Sequence, residues 1–347
     1  MPKNLLTAAQ GQKTEKTPLW FMRQAGRYLP EYREIKSQYN TLTMFKTSKI
    51  AAEITLQPLK RFPINGAILY ADILLIPDAM GLGLSFVEKE GPVFAKTIRS
   101  EDDLKIITES TKNIDLLMQK LSYVGETVSL VKPQLASNVT MLGFAGAPFT
   151  VASYMIEGKS SKGEFFETKK LMFQNGNLFH SLMQHLTTAT IDYLKMQISA
   201  GVEVVQLFES WSGAIDANFY KEFCFPYVKK IIDEIKKSAP VILFLGQGST
   251  LTQQVIELNP SVYSVDWRQD LSKVTKEFTG SGIALQGNLD PLLLYAPQEL
   301  LKKKVLECLK VGRAYEHGYI FNLGHGFNQT TPIENVEFVS KIVSEYK

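Results

Sequence analysis

The sequence has few of the residues that disulfide frameworks, zinc sites and flexible linkers require. It contains two cysteines, Cys224 and Cys308, and neither lies in a CxxC or similar ligand spacing, which argues against a disulfide framework and a zinc knuckle. Two buried free thiols in a reducing compartment are expected instead. No low-complexity, repeated or linker-like segment interrupts the chain, so a single domain over residues 1–347 is expected.

Long apolar segments are also missing. Residues 1–16 contain no apolar core of signal-peptide length. The longest uncharged stretch, residues 133–156, has the length of a membrane span, but proline and glycine interrupt it. We therefore predict a buried strand and a turn there, and we expect a cytoplasmic protein with no membrane partner.

Positive charge is present but not concentrated. The formal net charge is +3, and the one dense basic run, residues 302–304, falls on a predicted helix, where a solvated face is expected. Nucleic-acid binders usually cluster lysine and arginine on one face or in runs. No nucleic-acid partner is therefore expected.

Arginine is scarce, with 7 arginines against 31 lysines. Arg23 and Arg27 stand out because a guanidinium fork matches a carboxylate and an ammonium group does not. They follow a predicted strand, and Gly26 between them allows a tight turn. Two arginines at one mouth predict a site for a substrate with several carboxylates. The alternative on spacing alone is a surface loop whose arginines pair with Glu31 and Glu34.

Short apolar runs alternate with longer helix-like stretches, which is the pattern of a parallel α/β protein. Eight runs are predicted as inner strands: Pro18–Met22, Ala67–Ala71, Thr140–Phe144, Val202–Phe208, Val241–Leu245, Val262–Val265, Ile283–Gln286 and Tyr319–Leu323. Helices are predicted over Ser48–Arg61, Phe166–Ala200, Ile215–Lys237, Leu251–Leu258 and Pro297–Leu309. Most of the runs are apolar on both faces, as expected for strands that lie between helices and a packed interior.

Polar or glycine-rich motifs follow nearly every predicted strand. They are Arg23-Gln24, Asp72, Gly143 to Pro148, Glu209-Ser210, Gly246-Gln247, Asp266-Trp267, Gly287-Asn288 and Gly324-His325-Gly326. An active site at the mouth of a (β/α)8 TIM barrel needs a ring of this kind. We therefore predict that fold, and an open doubly wound sheet is the alternative from the pattern alone.

Three of these motifs suggest binding chemistry beyond the arginines. Asp72 ends an apolar strand, where its carboxylate either caps the next turn or accepts several N–H donors. The turn at residues 143–148 leads into a helix start that can bind an anion, with Tyr154 facing the same cavity, or it is purely structural. His325 lies between two glycines, which would leave its ring uncovered.

The family becomes recognisable in two of these segments. Residues 20–34, WFMRQAGRYLPEYRE, resemble the N-terminal signature of the uroporphyrinogen decarboxylase family. Residues 143–158, GFAGAPFTVASYMIEG, resemble its second signature. The first match is long and unusual in composition, which makes it specific. One departure is Ala71, which stands before Asp72 where many members carry serine.

The resemblance implies an activity and a set of site residues. The activity is decarboxylation of the four acetate arms of uroporphyrinogen III to coproporphyrinogen III, by a homodimer that needs no metal or cofactor. Catalytic roles are implied for Asp72, which would hold the macrocycle centre, and for Arg23, a candidate proton donor. Substrate-binding roles are implied for Arg23, Gln24, Arg27, Asp72, Phe144, Tyr154, Ser210 and His325. Residues 287–291 also match a family motif and are expected to form a structural turn.

Two rival functions fit parts of the sequence. Corrinoid-linked methyltransferases share the barrel and hold zinc with histidine and cysteine at strand ends. Here the four histidines form no HxC pattern, and neither cysteine follows a predicted strand. A non-catalytic tetrapyrrole carrier is the other rival, although a carrier has no use for an ionised aspartate at the ring centre.

Overall fold

Seven parallel strands lie side by side in a computed structural model that describes residues 2–88, 90–161 and 163–346. Their order in the sheet is their order in the chain, as in a barrel. They are β1 (Gly66–Ile68), β4 (Thr140–Gly146), β5 (Val204–Glu209), β6 (Val241–Leu245), β7 (Val262–Ser264), β8 (Ala284–Gln286) and β9 (Tyr319–Ile320). Every residue of β4 and β6 is buried, which confirms that both faces of these strands are covered.

The predicted first strand, Pro18–Met22, forms no regular ladder, and that prediction is corrected. It lies between β9 and β1 and makes one isolated parallel bridge, from Leu19 to Phe321. The Phe321 N–H donates to the carbonyl of Pro18 at 2.9 Å. The segment therefore closes the sheet on itself, and the fold is a TIM barrel whose first strand is reduced to a bridge.

Side-chain amides explain why this segment is not a regular strand. The N–H groups of Leu19, Phe21 and Met22 donate to Asn65 Oδ1 at 3.0 Å, Gln24 Oε1 at 3.1 Å and Asn322 Oδ1 at 3.0 Å. Buried backbone donors need partners, and here three side chains supply them in place of neighbouring strands.

Helices cover the outside of the barrel. They are α1 (Asn4–Ala9), α2 (Pro30–Gln38), α3 (Thr41–Lys46), α4 (Ser48–Arg61), α5 (Leu75–Pro77), α6 (Glu101–Lys112), α7 (Ile114–Lys120), α8 (Ser122–Val131), α9 (Pro148–Glu157), α10 (Phe166–Gln174), α11 (Gly176–Ser199), α12 (Ala217–Phe223), α13 (Phe225–Ile235), α14 (Thr252–Leu258), α15 (Leu271–Glu277), α16 (Gln298–Ala314) and α17 (Ile333–Glu345). None of the helices in the described ranges is long and apolar enough to cross a membrane.

Two predicted helices are each divided in two. The stretch predicted over Phe166–Ala200 breaks at Asn175, whose side chain accepts the Leu178 N–H and so caps the start of α11. The stretch predicted over Ile215–Lys237 breaks at Cys224, because Pro226, the second residue of α13, has no N–H to continue the hydrogen bonds of α12. The antiparallel hairpin of β2 (Leu84–Val87) and β3 (Gly91–Phe94) was not predicted.

Polar side chains fill part of the barrel interior and satisfy one another. Trp20 Nε1 donates to Gln286 Oε1 at 2.8 Å. Gln286 Nε2 in turn donates to Gln206 Oε1 at 3.1 Å and to Ser264 Oγ at 2.9 Å. All four residues are fully buried. This network joins the closing segment to β5, β7 and β8 beneath the barrel mouth.

Candidate active site

A cavity of about 380 Å³ opens at the carboxyl ends of the strands. This is the end of a TIM barrel where active sites form. Seven of the eight predicted site residues line the cavity: Arg23, Gln24, Arg27, Asp72, Phe144, Ser210 and His325. The eighth, Tyr154, does not line the cavity. The sequence motifs therefore converge on one place.

The segment after the closing bridge carries both arginines into the cavity. Arg23 itself adopts the left-handed backbone conformation, with φ of 60°. Gly26, expected to make this turn, is not among the residues with positive φ, so the turn is corrected to Arg23. The Arg27 guanidinium donates to Gln329 Oε1 at 2.9 Å.

The alternative in which these arginines pair with nearby glutamates does not hold in this structure. Glu31 lies 2.7 Å from the guanidinium of Arg61 instead. Within the described residues, neither Arg23 nor Arg27 lies in an ion pair. Two exposed guanidinium groups are thus left available to a ligand at the cavity wall.

Asp72 serves as a turn cap and also retains a free oxygen. Its Oδ1 accepts the Leu74 N–H at 2.9 Å, while Oδ2 has no hydrogen-bond partner among the described residues. Burial raises the pKa of Asp72, and the Leu74 N–H and the charge of Arg23 oppose this shift only in part. The two interpretations of Asp72 are therefore compatible, with one oxygen for each.

His325 reaches the cavity beside Arg23. Burial and then the charge of Arg23 lower the pKa of His325 to about 4, so its imidazole is neutral near pH 7. The flanking glycines also permit close packing. A Cβ on Gly326 would lie 2.4 Å from Arg23 Cδ, and one on Gly324 would lie 2.2 Å from the Trp267 nitrogen. They allow close packing on either side of a half-buried ring.

The remaining predicted residues differ in how directly they face the cavity. The Gln24 side chain is fully buried, and both ends of its amide bind backbone, at Phe21 N–H and the Gly66 carbonyl. Its main contribution is therefore to close the barrel. Phe144, 8% exposed, and the half-buried Ser210 lie on the wall.

Tyr154 lies on α9, is half-buried and is not part of the cavity lining. Burial and then the charge of Asp72 raise the pKa of Tyr154 to about 12, so its hydroxyl remains protonated. Its ring centroid is 6.1 Å from that of Trp211. Tyr154 is thus within electrostatic reach of Asp72.

Several cavity residues were missed by sequence reasoning. Eight of them are aromatic: Tyr28, Tyr32, Phe45, Tyr70, Phe86, Phe208, Phe244 and Phe327. Phe208 and Phe244 are the second-last residues of β5 and β6. Their position near the strand ends was therefore a usable signal. For Tyr32 and Phe86, which come from α2 and the β2–β3 hairpin, no strand-end signal existed.

Potential metal ligands are dispersed in the part of the chain that the structure describes. No group of three histidine, cysteine, aspartate or glutamate side chains there is placed to hold an ion. Cys224 is buried as expected, whereas Cys308 is only half-buried, and both are free thiols.

Comparisons with known proteins agree with this geometry. The sequence model of the family "Uroporphyrinogen decarboxylase (URO-D)" matches residues 2–346. The chain is 42% identical to a uroporphyrinogen decarboxylase of Thermodesulfovibrio yellowstonii, covering 100% of this chain and 99% of that protein. It is 39% identical to one from Carboxydothermus hydrogenoformans, covering 99% and 97%.

Among solved structures, a methyltransferase from Methanosarcina mazei superimposes with a TM-score of 0.81 at 18% identity, covering 99% of this chain and 98% of that one. At that identity the likeness concerns the fold, and it supports the TIM barrel. The family match and the relatives span the whole chain, including both arginines, Asp72 and His325. The chain belongs to the uroporphyrinogen decarboxylase family.

Proposed function

We propose that this enzyme removes carbon dioxide from the four acetate arms of uroporphyrinogen III and releases coproporphyrinogen III. One observation carries the proposal. Arg23, Arg27 and Asp72 line a single cavity, and none of them is ion-paired with a described residue. Burial makes the Asp72 charge costly, whereas the exposed Arg23 and Arg27 remain free to bind anions. A ligand with N–H donors for Asp72 and carboxylates for the arginines would fit these charges.

The arginines fit the outer part of such a substrate. Uroporphyrinogen carries acetate and propionate groups around its rim, and a guanidinium group binds a carboxylate through two parallel hydrogen bonds. Arg23 and Arg27 lie at the exposed side of the cavity, where rim carboxylates would enter. Ser210 and the neutral His325 add groups that can donate hydrogen bonds to a carboxylate.

Asp72 fits the centre of the macrocycle. The four pyrrole N–H groups of a porphyrinogen can converge on one side, and Asp72 has one oxygen with no partner among the described residues. Those N–H donors would favour the ionised form of a carboxyl group whose pKa burial has raised. Binding and ionisation of Asp72 would therefore support each other.

The chemistry uses the substrate's own ring as the electron sink. A proton adds to the pyrrole carbon beside the acetate-bearing position and leaves a cationic ring. The bond to the carboxylate then breaks, carbon dioxide leaves, and its electron pair neutralises the ring. A proton adds to the exocyclic carbon and one leaves the ring carbon, so the acetate becomes a methyl group with one proton consumed. Asp72 would stabilise the cation as a preorganised anion.

We propose Arg23, or an acid of the substrate that Arg23 holds, as the candidate proton donor. Because burial and Arg23 keep His325 neutral near pH 7, this histidine is a poor proton donor at that pH. Phe144 and the half-buried Tyr154 would shape the wall around the ring, and Gln24 would hold the backbone from which Arg23 projects.

Carbon dioxide release from uroporphyrinogen by purified protein tests the proposal. We expect stoichiometric release with coproporphyrinogen as product, unchanged after chelator treatment because no step requires a metal. Binding of uroporphyrinogen without release would favour a carrier. Activity lost with chelator and restored by zinc would contradict the mechanism.

We further propose that the enzyme acts in the cytoplasm, as one domain per chain and as a homodimer without nucleic-acid or membrane partners. Resemblance to the family supports the dimer. Light scattering coupled to size-exclusion chromatography should give twice the 39.0 kDa chain mass. A mass near that of one chain would overturn the dimer alone.

A further inference from the structure

Two tyrosines form a hydroxyl pair in the wall of the cavity. Tyr32, on α2, and Tyr70, two residues before Asp72, have hydroxyl oxygens 2.8 Å apart. Their rings meet edge to face, with centroids 5.8 Å apart at 69°. Both residues line the cavity. The Tyr70 backbone is fixed by a hydrogen bond from its N–H to Thr55 Oγ1 at 2.9 Å.

One of the two hydroxyl protons of this pair has no acceptor among the described residues. Each phenol has one O–H, and a bond between two phenols uses only one of the two protons. Among the described residues, neither hydroxyl has a hydrogen-bond partner other than its pair mate. One O–H therefore remains to be donated, from a wall that is otherwise largely aromatic.

The surroundings favour an anionic acceptor for that proton. Arg27 is the cation whose charge acts on both hydroxyls. Lys36, on the same helix as Tyr32, donates to Thr41 Oγ1 at 2.7 Å, and Thr41 also lines the cavity. Burial raises the pKa of Tyr32 and of Tyr70, so both phenols stay protonated and act as donors. The one carboxylate that acts on the pair is Asp72, whose charge raises the pKa of Tyr70 further.

We propose that the Tyr32–Tyr70 pair is a further substrate-binding group, which donates its remaining O–H to a carboxylate arm held beside Arg27. The pair determines specificity because an arm without a carboxylate leaves this proton unpaired in an apolar wall. The inference rests on the proposed function, since it takes the carboxylate arms of uroporphyrinogen as the acceptor.

Substitution by phenylalanine removes each hydroxyl and keeps the ring packing. We expect Tyr32→Phe or Tyr70→Phe, whichever removes the donating O–H, to raise KM for uroporphyrinogen by about 10-fold, the size of a charge-assisted hydrogen bond. The value of kcat should change by less than about 2-fold, because the contact exists in both ground and transition states. The double variant should be far from additive, since the pair acts as a unit.

A second measurement identifies the arm. Equilibrium binding of coproporphyrinogen, which retains the propionates, should weaken in the same variants if the acceptor is a propionate. If the acceptor is an acetate, the variants should bind coproporphyrinogen as the wild type does and bind uroporphyrinogen more weakly. Either result supports the proposal. Tyr295→Phe is the matched control, because that exposed tyrosine bonds Thr330 and neither residue is part of the cavity lining.

The outcomes separate this inference from the proposed function. Lowered melting temperatures with wild-type KM and binding in both single variants and in the double variant would make the pair a structural contact and overturn the inference alone. A wild-type protein that neither binds nor decarboxylates uroporphyrinogen would overturn the proposed function and the inference together.

Discussion

Strand β5 has a glutamate at each end, and the barrel places the two in opposite environments. Glu203, just before the strand, lies 2.6 Å from the Nζ atoms of both Lys3 and Lys132. Its Oε2 also accepts the Met141 N–H at 3.0 Å. Glu209, the last residue of the strand, is fully buried and accepts hydrogen bonds from the N–H and hydroxyl of Thr150. Its Oε2 has no partner among the described residues.

The pKa values follow these environments. Burial alone would raise the pKa of Glu203, but hydrogen bonds from Lys132 and Lys3 outweigh it and lower the pKa. At Glu209 burial dominates and raises the pKa to about 8. Glu203 at the amino end is thus held in ion pairs, whereas Glu209, Arg23 and Asp72 at the carboxyl end have no ion-pair partner among the described residues. This division is expected when the amino end serves stability and the carboxyl end serves chemistry.

Asp72→Asn is the strongest test of this division. The amide keeps an acceptor for the Leu74 N–H, so the turn survives, but it loses the negative charge at the cavity. We expect kcat for uroporphyrinogen to fall by ~10²–10³ or more, the usual cost of losing one preorganised charge. Thermal melts should show that the variant is folded.

Asp72→Glu sharpens the same test because it keeps the charge and misplaces it. Its rate should fall between those of the wild type and Asp72→Asn. Near-normal turnover by the folded Asn variant would remove Asp72 from the mechanism and leave only its role as a cap.

Arg27→Lys tests whether the guanidinium groups of the cavity bind carboxylates through their forked geometry and not through charge alone. Charge is retained, but the guanidinium fork is lost, so we expect kcat/KM to fall by about 10-fold, mainly through KM. Arg23→Lys should also reduce activity. Arg313→Lys is the matched control, since Arg313 binds the Glu15 carbonyl on the exposed surface. Wild-type kinetics in both cavity variants would return these residues to the surface-loop interpretation.

The sequence predicted the barrel and most of its mouth because both depend on local patterns. Apolar runs mark strands that are buried on both faces, and polar residues directly after them mark one end of the sheet. Asp72, Ser210 and His325 were found in this way. The family's second signature added Phe144 as a site residue.

What the sequence did not predict depends on partners that are distant in the chain. The strand predicted over Pro18–Met22 gives its N–H groups to side chains as distant as Asn322, and no local pattern shows this. The Tyr32–Tyr70 pair and the Lys3–Glu203 ion pair have the same origin. The left-handed backbone at Arg23 was missed because Gly26 is the residue type that usually takes it.

Glu209→Gln tests the buried, unpaired end through the pH dependence of stability. The raised pKa means that the folded protein keeps a proton that an unfolded glutamate, with a pKa near 4.5, releases. Between about pH 5 and pH 8 the folded state therefore binds more protons, and the free energy of unfolding falls as pH rises, by up to ~1.4 kcal/mol per pH unit from this group. Thermal melts across that range should show the wild type losing stability relative to Glu209→Gln. A constant difference between the two proteins would mean that Glu209 is ionised throughout.

Glu203→Gln tests the paired end and should have the opposite dependence. The lowered pKa means that the ionised form stabilises the fold above about pH 4.5 and that this contribution is lost as pH falls through the folded pKa. The amide still accepts the Met141 N–H, so only the attraction to Lys3 and Lys132 is lost, and because these pairs are partly exposed we expect about 1 kcal/mol at pH 7. Urea denaturation at pH 7 and pH 4 should show that this difference in the free energy of unfolding is smaller at the lower pH, with kcat and KM unchanged at pH 7.

Glu307→Gln, which removes an exposed helix ion pair with Lys304, is the control and should have no measurable effect on stability. A loss of activity in Glu203→Gln, with the fold intact, would mean that the amino end of the barrel also contributes to the chemistry.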